Sequence, residues 1–431
     1  MPSTGRCYIL ALSSSLMAAS PAIAGGFYLQ EQSPKEIGRA FSGGAAAADD
    51  PSTIFFNPAG MTELEGVQIS TGGTLLFVDS GQTNEGSTRT AVGQTGSAAV
   101  GGPDGGNPFA TVVPVPAFYA TARIAASPVW LGLGISAPFG LKLTYNSDFF
   151  GRYDSLHSEL MTINVQPSVA VKLGDTFAIG GGIDIQHADV KLSNALPNLA
   201  AGSPDGTYRV SGDDLSVGWN VGLLVHGGKA QFGLHYRSGM KHRLSGSQTL
   251  SGLMGGLASA NGTQDIESPF NLPDIVTASL RVDMSPATRL MATGRFYNWS
   301  VFKRIEVRPE AGNSLIKELG YKDSWSMALG AEHDFSRRLT LRAGAMFDKT
   351  PTNPDLLSTR VPDGDRTWAT VGASYELSQN LSLNLSLAHV FIEKQLMDRT
   401  DSYYGGGVSV HTLTRGNGNV DMVATSVTAR F

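Results

Sequence analysis

The chain has 431 residues, of which 41% are hydrophobic and 16% charged, with 52 glycines, a net charge of −5 and one cysteine, Cys7. Charge is sparse and glycine abundant for a soluble globular protein. A mean hydropathy of −0.05 and the lack of apolar runs of ~20 residues argue against a bundle of membrane helices. The acidic balance gives no reason to expect nucleic acid, one cysteine supports no disulfide framework, thiolate metal site or catalytic cysteine, and no cofactor is implied.

The first 24 residues read as an export signal. Arg6 supplies the positive end, Cys7 to Ala19 an apolar stretch too short to span a bilayer, and Ala22-Ile23-Ala24 a small-x-small cleavage site. Residues 25–65 follow as a distinct segment, rich in Ala and Gly and without alternation. Ser33-Pro34-Lys35-Glu36 reads as a helix start, which predicts a short helix over 35–48. Asp49-Asp50-Pro51-Ser52 stops it, and Asn57-Pro58-Ala59-Gly60 is a second turn.

From Val67 onward the pattern alternates. In Leu381-Ser382-Leu383-Asn384-Leu385-Ser386-Leu387 the leucines take one face and small polar residues the other. That is the pattern of a strand between lipid and a wet interior. Fourteen such segments are predicted: 67–78, 112–125, 128–138, 160–173, 176–191, 213–227, 229–246, 272–284, 288–302, 322–335, 338–349, 366–377, 380–393 and 420–431. Their connections alternate between tight turns, such as Gly174-Asp175 and Ser285-Pro286-Ala287, and long polar loops, such as 79–111 and 394–419. Short turns at one end and long loops at the other mark an outer-membrane barrel, and an even strand number suits closure. The expected fold is therefore an all-β, 14-stranded antiparallel transmembrane barrel over residues 66–431, with both chain ends on the short-turn side. Trp130, Trp299, Phe302, Trp325 and Trp368 fall near strand ends, where an aromatic belt would sit.

Catalysis finds little support. His235 and His242 are seven residues apart and face opposite sides of a strand. His187 and Asp189 share a face, but no Gly-x-Ser-x-Gly or His-Glu-x-x-His motif accompanies them. The expectation is a channel, not an enzyme, and no metal is implied.

Several segments go further. They are Gly25-Gly26-Phe27, Gly38-Arg39-Ala40-Phe41-Ser42-Gly43 and the run from Ala48-Asp49-Asp50-Pro51 to Asn57-Pro58-Ala59-Gly60-Met61-Thr62. Later come Ala137-Pro138-Phe139-Gly140, Tyr236-Arg237-Ser238, Lys322-Asp323-Ser324-Trp325 and Val361-Pro362-Asp363-Gly364-Asp365-Arg366, with Phe431 at the end. With these residues the chain resembles the FadL/TodX family of outer-membrane channels for long-chain fatty acids and other hydrophobic compounds, over essentially its whole mature length. The resemblance implies that residues 25–65 are a small helical hatch, or plug, in the lumen, held to the wall through Asn57-Pro58-Ala59. It implies that Phe27 contributes to an internal ligand site, and that ligands leave sideways at a kinked third strand near Pro138-Phe139-Gly140. It also implies a monomer in outer-membrane lipid and lipopolysaccharide. A strand simply ending at Pro138 remains the plainer alternative.

A fatty-acid carboxylate wants a cation. Arg152, Lys191 and Lys322 are the candidates, and each also reads as a solvated loop-end charge. Phe109, Phe149, Phe150, Leu253 and Leu257 either form an apolar entrance in the loops or pack the loops together. Asp49 and Asp50 either anchor the hatch to wall arginines or cap its turn. Passive uptake of fatty acids is the leading expectation; hydrocarbon uptake and a general porin are the alternatives.

Overall fold

The computed structural model describes residues 26–109 and 112–431. The expected export signal lies outside the described residues.

Fourteen strands form the wall: β1 (Val67–Asn84), β2 (Val113–Arg123), β3 (Val129–Ser136, resuming at Gly140–Thr144), β4 (His157–Leu173), β5 (Phe177–Leu196), β6 (Gly206–Gly227), β7 (Ala230–Arg237 and Lys241–Ser251), β8 (Gly262–Asn271 and Ile275–Ser285), β9 (Thr288–Tyr297 and Arg304–Pro309), β10 (Leu315–Glu318 and Ser324–Asp334), β11 (Leu339–Asp348), β12 (Arg366–Ser378), β13 (Leu381–Tyr403) and β14 (Val408–Arg430). All pair antiparallel with their chain neighbours, and β1 closes the ring against β14 from Gln68↔Arg430 to Asn84↔Thr414. Closure matters because lipid cannot satisfy a free strand edge.

The predicted alternation is realised inside out. Leu385 is 49% exposed toward lipid, while its neighbour Asn384 is 3% exposed and bonded to Ser374 and Ser426. The predicted tight turns fall between the strands, and Gly174 and Gly228 occupy them at φ +70° and +62°, which a side chain would resist. The outer ends run farther than the pattern suggested. β13 and β14 continue as one hairpin through most of 394–419, a stretch expected to be loop. Above the lipid the buried face mixes Thr412, Thr414 and Arg399 with Val408 and Val410, so the apolar alternation that betrays a strand fades there.

The belt reading needs correction. Trp325 faces outward, joined by Trp219, but Trp130, Trp299, Trp368 and Phe302 are buried inside the ring. The interior holds a second apolar core, and its centre is the N-terminal segment.

Candidate functional site

Residues 26–65 lie within the ring, and nearly all are buried. Helix α1 (Pro34–Gly38) starts with proline in its first turn, as expected, but Ser33 makes no capping bond; its hydroxyl accepts from Ser52 Oγ at 2.9 Å. The helix ends ten residues before its predicted stop. Beyond it the chain is held by the wall: Gly43 N donates to Thr293 Oγ1 at 2.8 Å and Ala45 N to Ser279 Oγ at 3.0 Å. Those bonds, with positive φ at Ala40 and Phe41, override the helix propensity of an Ala-rich sequence. A second helix, α2 (Thr53–Phe56), and a 3-10 helix (Pro58–Glu63) complete the segment.

Asn57 joins this segment to the wall and to itself. Its Nδ2 donates to Leu223 O of β6 at 3.0 Å and to Ala45 O at 2.7 Å, while Ala59 N donates to its Oδ1 at 3.1 Å. Close approach requires glycine opposite. A Cβ on Gly222 would overlap Asn57 Oδ1, and one on Gly233 would overlap Ala45 O.

Asp49 and Asp50 do not reach wall arginines. Asp49 pairs with Arg39 of the same segment at 3.0 Å, and Asp50 caps the Ser52 backbone N–H at 2.8 Å. Burial pushes Asp49 up, but the Arg39 and Lys35 charges outweigh it and hold the carboxyl well below its usual range. Wall arginines instead grip carbonyls. Arg237 donates to Phe55 O at 3.0 Å, with its charge balanced by Asp184, and Arg281 donates to Ala47 O at 3.3 Å. Direct ion pairs to the wall are Arg39 with Glu332 of β10, at 3.5 Å, and Glu63 with Lys172 of β4, at 3.6 Å.

The third strand does break, between Ser136 and Gly140, and residues 27–29 sit against the break. Leu29 N donates to Pro138 O, and Gly140 N to Phe27 O, both at 2.8 Å. Gly26 N is held at 3.0 Å by Asp363. Phe27 is 2% exposed, within 6.4 Å of five aromatic rings: Phe139, Phe270, Trp299, Phe302 and Tyr321.

An apolar path runs to this cage from the loop end. Its outer part is a cavity of ≈ 340 Å³ with Leu192, Val210, Ile305, Val307, Leu315 and Ile316 among its lining residues. An inner cavity of ≈ 60 Å³ shares the first four of these and ends on Phe270 and Phe302, at 5.9 and 5.2 Å from the Phe27 ring.

Two cations line the outer cavity, Lys317 and Arg360. Lys317 bonds to Asp154, a buried carboxylate that also accepts from Ser358 and Thr359. Arg360 differs. The residue is 5% exposed, and its hydrogen bonds go to neutral oxygens: Asp154 O at 2.9 Å, His157 O and Ser158 Oγ at 3.2 Å. Burial pulls its pKa below the ordinary guanidinium value despite the nearby Asp154 charge.

None of the three cations expected from sequence lines either cavity. Arg152 pairs with Asp205 at 2.7 Å, Lys191 pairs with Asp189 at 2.7 Å and is half exposed, and Lys322 is exposed on a loop. Phe109, Phe149, Phe150 and Leu253 are buried, with Phe149 stacked on Tyr145 at 4.1 Å, so they pack the loops; Leu257 is half-buried. Arg360 escaped sequence reasoning because its cavity is assembled from six segments distant in the chain.

Comparison with known proteins agrees with this architecture. The chain is 25% identical over 410 residues to a long-chain fatty acid transport protein of Escherichia coli O6:H1, covering 88% of this chain and 89% of that protein. It is 28% identical over 415 residues to outer membrane protein P1 of Haemophilus influenzae, with 88% and 89% covered. A Pseudomonas aeruginosa FadL homologue superposes with a TM-score of 0.85 at 22% identity, covering 94% of this chain and all 100% of that one. The Pseudomonas putida toluene transporter TodX gives a TM-score of 0.66 at 16% identity, with 95% and 100% covered. The family model described as outer membrane protein transport protein (OMPP1/FadL/TodX) matches residues 15–431, and the chain belongs to that family of outer membrane transport proteins.

Proposed function

We propose that the protein is a passive channel that takes up long-chain fatty acids or related hydrophobic compounds, with residues 26–65 as its hatch and the break in β3 as its side exit. The observation that carries this reading is the apolar path from the loops to Phe27, whose backbone is bonded to the broken strand. A long acyl chain entering the path gains ~0.8 kcal/mol per buried methylene. No energy source is needed, because the ligand moves down its own gradient. The hatch responds only to the extent that the ligand binds its displaced state better. Phe27 is the residue a ligand reaches, and Asn57-Pro58-Ala59 is the anchor that keeps the rest of the hatch seated.

Arg360 favours a carboxylate headgroup, because its hydrogen bonds go to neutral oxygens, whereas Lys317 in the same cavity is already paired with Asp154 and Asp401. The ring closes on itself, which supports a monomer, and its upper rim would lie among lipopolysaccharide headgroups. A neutral hydrocarbon could use the same path without Arg360. Uptake of labelled oleate and labelled toluene by cells lacking their own carriers decides between them. Oleate uptake that is lost in Phe27→Glu supports a fatty-acid channel. Toluene uptake alone assigns a hydrocarbon channel, and uptake of neither by a folded barrel refutes the proposal.

A further inference from the structure

In a regular wall the outer part of β3 would ladder with β2. The two pair from Arg123↔Trp130 to Phe118↔Ile135 and then part. Carrying that register outward sets Pro116 opposite Ala137 and Pro114 opposite Phe139. On its other side β2 pairs with β1 without interruption up to Leu76↔Val113. Proline cannot donate to a ladder, so Val113, Val115 and Ala117 carry those bonds. Alternate residues turn their backbone groups to opposite sides, which leaves both proline nitrogens facing β3. This stretch of β2 offers β3 acceptors but no donors.

The break nevertheless has its backbone satisfied, and every partner comes from elsewhere. The side-chain amide of Gln32 serves both groups of Ala137, accepting from its N–H at 3.2 Å and donating to its C=O at 2.8 Å. Leu29 N takes Pro138 O, and Phe27 O takes Gly140 N. Tyr28 and Phe139 thus form an antiparallel bridge. Thr162 Oγ1 serves both the N–H and the C=O of Phe139, at 2.9 and 2.7 Å. The breaks in β7 and β8 are treated differently. There the wall repairs itself: Trp219 N donates to Ser238 Oγ at 2.9 Å and Gly239 N to Asp274 Oδ1 at 3.0 Å. At β3 the wall repairs Phe139 alone, through Thr162 of β4, and the plug supplies the partners of Ala137, Pro138 and Gly140.

We propose that hatch residues 27–32 are a detachable surrogate strand completing the wall at β3, and that Pro114 and Pro116 prevent β2 from replacing it. Release of the hatch N-terminus and opening of the side of the barrel are then one event. The inference rests on the reading that a hydrophobic ligand leaves sideways. Its positioning residue is Gln32, which clasps Ala137 without touching the path. When residues 27–32 leave, Ala137, Pro138 and Gly140 face the gap without partners, and apolar surroundings penalise them. β2 cannot zip the gap shut, so the gate stays open until the hatch returns.

The test uses the full-length protein in detergent or nanodiscs and reads amide exchange at Gly140 and Ala137, with oleate as probe. In Gln32→Ala, Gly140 should exchange about tenfold faster without ligand, with barrel melting unchanged. Exchange at the wild-type rate overturns the clasp. In the double variant Pro114→Val/Pro116→Val, β2 regains its donors. Oleate should then no longer accelerate exchange at Ala137, the amide opposite position 116, and oleate uptake should fall about fivefold or more, while oleate binding stays unchanged. Full uptake by a folded double variant overturns the role of the prolines. Wild-type protein that carries nothing fails the transport reading instead, and Gly140 exchange in Gln32→Ala still decides the surrogate strand.

Discussion

Replacing Arg360 with methionine should weaken oleate binding by about 10- to 100-fold and leave binding of oleyl alcohol within about twofold. Arg360 is 5% exposed, lines the outer cavity, and spends its hydrogen bonds on neutral oxygens. A hydrogen bond to a charged group contributes about 1.5–3 kcal/mol, and about 1.4 kcal/mol is tenfold in affinity. Methionine keeps most of the packing volume but removes the charge. Arg360 also braces the loops through His157 O and Ser158 Oγ, so a general loosening has to be separated from loss of the anion partner. The neutral alcohol makes that separation, since it shares the acyl chain and lacks the charge. Arg360→Lys should retain most oleate affinity. Competition binding in detergent, with both ligands on each variant, is the assay. Equal weakening for acid and alcohol would mean that Arg360 only holds the loops, and no change for either would remove it from the site.

Phe27→Ala takes a ring out of a cage of five aromatics, a change that costs about 3–5 kcal/mol in a packed core; oleate uptake should collapse, and normal uptake would refute the role of the cage. Asn57→Ala removes three hydrogen bonds at a buried site, about 1 kcal/mol each, and should raise leakage of small polar antibiotics as the hatch loosens. Deleting residues 26–65 should leave a foldable barrel that leaks more strongly still, and unchanged permeability would sink the plug reading. Burial pushes the carboxyl of Glu31, in the hatch, up to about 8, and neither of its oxygens has a hydrogen-bond partner among the described residues. A carboxyl raised in the folded state stabilises docking below the unfolded value of ~4.3, and that contribution fades as pH rises toward 8. Hatch protection should therefore fall between those values in wild type, and Glu31→Gln should flatten the dependence; the same slope in both would exclude Glu31 as its source.

What the sequence revealed followed the solvent. Where a strand has lipid on one face and a packed, polar interior on the other, alternation is forced, and segments such as Leu381–Leu387 announce themselves. The short turns were legible for the same reason: little chain is free between two forced strands. Legibility ended where that contrast ends. The upper half of the β13–β14 hairpin buries a face that mixes Thr412, Thr414 and Arg399 with Val408 and Val410, and the hatch follows bonds to Thr293 and Ser279 rather than its own helix propensity. Tryptophans 299 and 368 misled because the plug gives the lumen an apolar core of its own. Phe27, Asn57 and the break at Pro138 were reachable through family resemblance. Arg360 and Gln32 were not, since a loop arginine and a hatch glutamine acquire meaning only from residues more than 100 positions away.

The closing seam has a consequence for biogenesis. It joins Gln68 to Arg430, so the ring exists only once the last strand is in place, and the plug precedes both in the chain. Arg39, fully buried, pairs with Glu332 of β10, while Asn57 holds β6 and Gln32 holds β3. A segment gripped from so many sides cannot be threaded into a finished ring without first stripping those bonds. The simpler order is for the wall to close around a plug already seated, while the seam is still open. Damage to the plug's anchors should then slow assembly in the membrane as well as loosen the finished channel.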